Sequence, residues 1–402
     1  MKLQSLQSYI FSVPAYLRTA LSNTKFSSHC VIVLGVDGVD GYGSGVLYRT
    51  RPLEAMHLLR REIIPFLETA AFGALGDLRA QIRQAFSSRI PSVVYALDSA
   101  LWDVEAKVKG KPVNQLLGTP LRKKVDITEQ VFIAHAHRTR QELAEILSHG
   151  TKRIKVKIGS DPVADVERVR LIREAVGAEV SLGVDINGGY TFEQALDVGE
   201  KLAEIGVSVF EDPVAVREWH RLPSLRKETG IPIMQDAGIH SADDLRRAID
   251  LGAVDLLNLK LTRVGGLTGA IELARICEQH GVRPAVGCSE DLGPGMASIL
   301  HLASVLAALH STEGVGSYRL GFDIIDEDWH LHNGALDVPQ ERGLGVHFSE
   351  ERMRKAARAR SFVVGDVQAP SVLFIAGSGL NKWYQRCFTL QWRLQRAFRI
   401  LE

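Results

Sequence analysis

Lys155 and Lys157 stand two residues apart in the apolar run RIKVKIG. Five further charged residues follow Lys157 at intervals of 28, 26, 25, 24 and 30: Asp185, Glu211, Asp236, Lys260 and Glu290. Each closes a short run rich in β-branched or aliphatic residues, as in VSLGVD, VSVFE, IPIMQD and VDLLNLK. Three carboxylates brought to one point are tolerable only around a cation, and hard oxygen ligands select Mg2+, with Mn2+ as the alternative ion. A zinc site would need His or Cys at those places. Amines flanking such a site suit proton chemistry at carbon. The cation holds a substrate carboxylate, one lysine removes the neighbouring proton, and the other works from the far face. Residues i and i+2 of a strand share a face, so like-charge repulsion from Lys157 is expected to lower the pKa of Lys155.

The elements that must position these groups alternate in type. RIKVKIG is followed by Asp161 as N-cap, Pro162 at the first helical position and the helical pattern VADVERVRLIREAVG. VSLGVDIN precedes a helix opened by a Thr191/Gln194 capping box and ended by Gly206. VSVFEDP, IPIMQDA, VDLLNLKL and VRPAVGCSE continue the series. At least six strand-helix units at near-constant pitch predict an α/β fold, a modified (β/α)7-8 TIM barrel. The charged residues then sit at the C-terminal strand ends where barrel sites are built. Before the barrel, SHCVIVLGVDGVDGYGSGVLY reads as a meander of strands broken by Gly and Asp turns. Apolar Val94, Leu97, Leu101 and Val104 give a helical spacing that breaks at Gly110 and Pro112. The expected division is an α+β cap over residues 1–124, the barrel over 125–330, a segment returning to the cap over 331–361 and an extra basic, aromatic tail over 362–402.

The chain has 402 residues, 46% of them hydrophobic and 24% charged, with a net charge of +1. That composition is ordinary for a globular protein and gives no bulk electrostatic case for nucleic acid or an anionic membrane. No apolar run approaches the roughly 20 residues of a membrane span. Cys30, Cys277, Cys288 and Cys387 are scattered without C-x-x-C pairing, which fits a reducing cytoplasm. The expected partner is a small carboxylate.

At these residues the chain resembles the enolase superfamily, and within it the muconate lactonizing (muconate cycloisomerase) group of the mandelate racemase/muconate lactonizing enzyme family. ALDSALWDVEAKVKGKPVNQLLG is similar to that group's capping-domain helix, KVKIG to its K-x-K strand, VDINGGY, FEDP and MQDAG to its three metal-ligand strands, and NLKLTRVGGLTGA to its opposing-lysine strand. The resemblance implies Lys155, Lys157, Lys260 and Glu290 as catalytic residues and Asp185, Glu211 and Asp236 as Mg2+ ligands. Asn187, Asn258 and Asp212 would support the ligands or touch substrate. It also implies a homo-oligomer, with the tail as a contact, and cap loops near Pro14 to His29 and Arg49 to Ala55 that choose the substrate. Lysines on both sides permit racemisation or epimerisation, cycloisomerisation and dehydration, because all three pass through an enediolate.

Four features depart from that pattern. Ala237 follows Asp236 where the group usually has an acid. The strand read as the last of the barrel ends in GCSEDLGPG, and GVGSYRLGFDIID lacks the D-x-D of dipeptide epimerases. The tail NKWYQRCFTLQWRLQRAFRILE mixes aromatics and arginines like an amphipathic helix. Two other readings stay open. His135 and His137 form an H-x-H after the first barrel strand, as in zinc hydrolases of the amidohydrolase type. The barrel would alternatively be a binding or assembly protein without turnover.

Overall fold

A computed structural model describes residues 3–20, 22–48, 50–314 and 320–353, and the backbone of Ser361–Val364 and Val367–Pro370. Three antiparallel strands open the chain in the order β1 (Leu3–Arg18), β2 (Asn23–Val36) and β3 (Val39–Val46). The segment from Pro14 to His29, expected as a cap loop, is thus mostly strand, with a tight connection around Thr19–Ser22. Asp37 and Gly38, both at positive φ, make the turn between β2 and β3.

The glycines that follow are not turns, contrary to expectation. Gly41, Gly43 and Gly45 share one face of β3. A Cβ on each would lie 2.3, 1.9 and 2.3 Å from the carbonyl oxygens of Ala100, Ala96 and Ser92. Those carbonyls are one turn apart on the helix Pro91–Val108, so strand and helix meet backbone to backbone.

Eight parallel strands form the barrel: β4 (Lys124–Val131), β5 (Arg153–Lys157), β6 (Ser181–Asp185), β7 (Val207–Glu211), β8 (Ile233–Gln235), β9 (Leu256–Lys260), β10 (Arg283–Gly287) and β11 (Thr312–Glu313). β11 pairs with β4 and closes the cylinder, while β12 (Ala335–Asp337) adds antiparallel to β4. The Asp161 cap, with Pro162 behind it, and the Thr191/Gln194 capping box start their helices as the sequence predicts. Alternation along the strands sets the interior. Val209, Met234, Leu256 and Ala285 pack together as an apolar layer, and Glu211, Asp236 and Asn258, two positions past the first three, crown it.

The cap sits on the barrel through an aromatic cluster in which Tyr9, Phe11 and Val13 of β1 meet Phe132, Leu292, Leu320 and Met353. Phe348 stacks on Tyr42 of β3 at 5.0 Å. Cys30, Cys277 and Cys288 are buried. No helix among the described residues is long and apolar enough to cross a membrane. Cys387 and the amphipathic pattern expected over 383–399 lie outside the described residues.

Candidate active site

Register brings the charged strand ends level. Lys157 pairs with Asp185 across β5 and β6, and Asp185 with Glu211 across β6 and β7. On the other side Lys260 ends β9, four strands from β5 and therefore opposite it in an eight-stranded cylinder. Lys155, Lys157, Asp185, Glu211, Asp212 and Asp236 are all buried.

The carboxylates and amines interlock. Lys155 Nζ lies 3.0 Å from Glu211 Oε2 and 3.8 Å from Asp185 Oδ2, and it also donates to Glu313. Lys157 Nζ donates to Asp185 Oδ2 at 2.5 Å. Lys260 Nζ is 3.0 Å from Asp236 Oδ2, whose Oδ1 accepts from Arg263 Nη1 at 2.5 Å. Asn258 Nδ2 bridges Glu211 and Glu313 at 3.0 and 2.9 Å. Asn187, at positive φ, holds Asp185 through its backbone N–H and its side-chain amide. Asp212 accepts the backbone N–H groups of Asp236 and Ala237 at 3.0 and 2.8 Å, fastening the loop after β8.

Oxygens of Asp185, Glu211 and Asp212 all lie within 4.8 Å of one another. The expected third acid, Asp236, is held by Lys260 and Arg263 beside this trio. Burial, then Asp185, pushes the Glu211 carboxyl up to about 8. Burial, then Asp236 and Asp185, pushes Asp212 up to about 7. Burial would raise Asp236 too, but Arg263 and Lys260 outweigh it and hold that carboxyl well below the usual range. Three buried cations, Lys155, Lys157 and Arg263, and the partly buried Lys260 face the carboxylates of Asp185, Glu211, Asp212, Asp236 and Glu313. The surplus is negative and concentrated in hard oxygens, a donor set that fits a divalent cation of the Mg2+ type.

The structure revises three expectations. Lys155 is not a lowered amine. Burial does favour its neutral form, but Glu211, Glu313 and Asp185 more than reverse that and raise its pKa well above the ordinary value. The strand ending in GCSEDLGPG is the seventh, and Glu290 sits half-buried in the loop after it at φ 62°. The last strand is β11, and the acid it brings inward is Glu313, which accepts from Lys155, Asn258, Gln130 Nε2 and Cys288 N–H. His135 and His137 are exposed at the start of the helix Ala136–Ser148. Sequence reasoning missed Glu313, Gln130 and Arg263. The first two have inward parity on their strands as their only signal, and Arg263 lies three residues past Lys260.

Comparison with known proteins agrees with this geometry. The model for the Mandelate racemase / muconate lactonizing enzyme N-terminal domain matches residues 7–118, and that for the Enolase C-terminal domain-like family matches 138–352. The chain is 26% identical to the N-succinyl-L-Arg/Lys racemase of Bacillus cereus, over 88% of this chain and 98% of the relative. It is 30% identical to the o-succinylbenzoate synthase of Geobacillus kaustophilus, over 81% and 87%. Among solved structures, the 2-chloromuconate cycloisomerase of Rhodococcus opacus superposes with a TM-score of 0.82 at 25% identity, covering 89% of this chain and 99% of that one. Matched over cap and barrel alike, the chain belongs to the enolase superfamily, in its muconate lactonizing subgroup.

Proposed function

We propose that the protein is a Mg2+-dependent enzyme that removes the proton α to a substrate carboxylate and returns or redirects it, as a cycloisomerase or a racemase/epimerase of a small carboxylate. One observation carries this reading: lysines from β5 and from β9 face each other across a buried carboxylate cluster. Asp185, Glu211 and Asp236 would hold the cation. Asp212, with both oxygens already engaged by backbone N–H groups, would orient the loop that carries Asp236. When bound, the cation supplies the charge that fixes the substrate carboxylate and stabilises negative charge growing on it.

The chain's own residues do the rest. Lys157 and Lys260 stand on opposite faces of the substrate carbon, so one takes the proton and the other delivers one in a racemisation. Lys155, clamped by Glu211 and Glu313, fixes those acids instead of moving a proton. Asn258 ties Glu211 to Glu313. The cap excludes water above the reacting carbon. A screen of N-acyl amino acids, dipeptides, muconates and sugar acids tests the reading. Turnover should need Mg2+, vanish with a chelator and return on re-addition, and chelator-resistant turnover would refute it. Sugar-acid dehydration is the second reading, favoured only by the same site serving elimination.

A further inference from the structure

The strand ends that carry Lys157 and Lys260 are anchored differently. Behind Lys157, the backbone N–H groups of Gly159, Ser160 and Asp161 all donate to Asp165 Oδ2, at 2.8, 2.9 and 3.1 Å. Tyr190 donates to the same oxygen at 2.8 Å. Ala20 of the cap lies against Gly159, but the groups that hold this loop belong to the barrel. Behind Lys260 the chain makes a single helical turn, Leu261–Val264, reverses at Gly265 and Gly266 with φ of 76° and 95°, and enters the helix Leu267–His280. Three elements of the cap hold that turn.

From β3, the carbonyl of Val46 accepts from Thr262 Oγ1 at 2.6 Å. From the helix Leu75–Phe86, Arg83 Nη1 donates to Val264 O at 2.9 Å while its Nη2 pairs with Glu272 at 2.9 Å. From the helix Pro91–Val108, the buried Asp98 accepts the Thr268 N–H at 3.0 Å and the Thr268 hydroxyl as well. Asp98 stands where an N-cap side chain would. The helix Leu267–His280 opens at Gly266, which has no side chain to offer, and a Cβ there would lie 2.5 Å from Asp98 Oδ2. A barrel helix is thus capped from the other domain, eight residues or fewer after Lys260. We propose that Arg83 and Asp98 are positioning residues for Lys260: the cap clamps the turn that carries this lysine, whereas Asp165 sets Lys157 from within the barrel. The cap then supplies half of the two-base geometry in addition to excluding water. The proposal rests on the reading of Lys157 and Lys260 as opposed bases.

The test follows α-hydrogen exchange in D2O by the Mg2+-saturated full chain, on each enantiomer of the N-acyl amino acid that wild type exchanges fastest. Displacing a catalytic group by about 1 Å costs about 10²-fold, so Arg83→Met is expected to lose about 10–100-fold on the enantiomer that Lys260→Ala loses. Exchange of the other enantiomer should persist. The Arg83 side chain is 20% exposed, so methionine can take its place, and Arg83→Lys should recover part of the loss. Thr268→Val, which removes the hydroxyl held by Asp98, serves if the methionine variant does not fold, with Thr268→Ser as its active control. Crystal structures give a second readout: in Arg83→Met, Lys260 Nζ should leave Asp236 while Lys157 Nζ stays on Asp185. Equal loss on both enantiomers, full exchange of both, or a Lys260 that stays on Asp236 would overturn the clamp. Exchange of neither enantiomer by wild type would refute the proposed activity, and the crystal comparison would then decide the clamp by itself.

Discussion

Lys155 and Lys157 differ in their partners although only Val156 separates them. Lys155 meets two glutamates from β7 and β11, whereas Lys157, nearer the strand end, meets Asp185 alone among the described residues. Lys157→Ala and Lys260→Ala are each expected to lower racemisation by roughly 10²–10⁴-fold or more, with circular dichroism unchanged. Lys155→Met should instead loosen Glu211 and weaken divalent binding, read by Mn2+ titration. The acids should separate in the same assay: Asp185→Ala and Asp236→Ala lose Mn2+ binding, while Asp212→Asn retains it with reduced affinity. Retention by Asp236→Ala alone would make Asp212 the third ligand. The K-x-K pair, the three acids and Lys260 were legible because each closes an apolar run. The protonation of Lys155 was not, since it is set by acids on other strands and not by its neighbour in sequence.

At the scale of elements, the alternation of short apolar runs with capped helices carried the barrel. The eighth strand escaped because β11 is two residues long, too short for any period to show, and Glu313 went with it. The glycines of β3 were misread for a related reason. Turn glycines and close-approach glycines look alike until the partner helix is placed. Gly43→Val would drive a side chain into the Ala96 carbonyl and separate strand from helix. The expected loss is about 3 kcal/mol, at the upper end for overpacking, measured by urea unfolding. Gly38→Asn, in the open turn at positive φ with nothing near its Cβ, should change stability far less. Equal losses in both variants would contradict the backbone-to-backbone packing.

Across the whole molecule, two histidines outside the carboxylate cluster are expected to couple stability to pH. Burial pushes His301 down to about 4, and burial with the Arg153 and Arg283 charges does the same to His310. Between about 6.5 and 4 the unfolded chain binds protons that the folded chain refuses. Stability should therefore be full above pH 6.5 and fall as pH drops toward 4, by up to about 3 kcal/mol for the fully buried His301. His301→Gln should flatten that slope in urea titrations, and an unchanged slope would argue against it. The central claim, two opposed lysines sharing one substrate carbon, is tested most directly by deuterium uptake. Mg2+-loaded protein in D2O is given each enantiomer of a turned-over N-acyl amino acid, and loss of the α-hydrogen signal is followed by NMR. The account predicts that wild type exchanges both enantiomers, while Lys157→Ala and Lys260→Ala each lose exchange on one enantiomer, opposite for the two variants. Exchange of both enantiomers by both variants would contradict it.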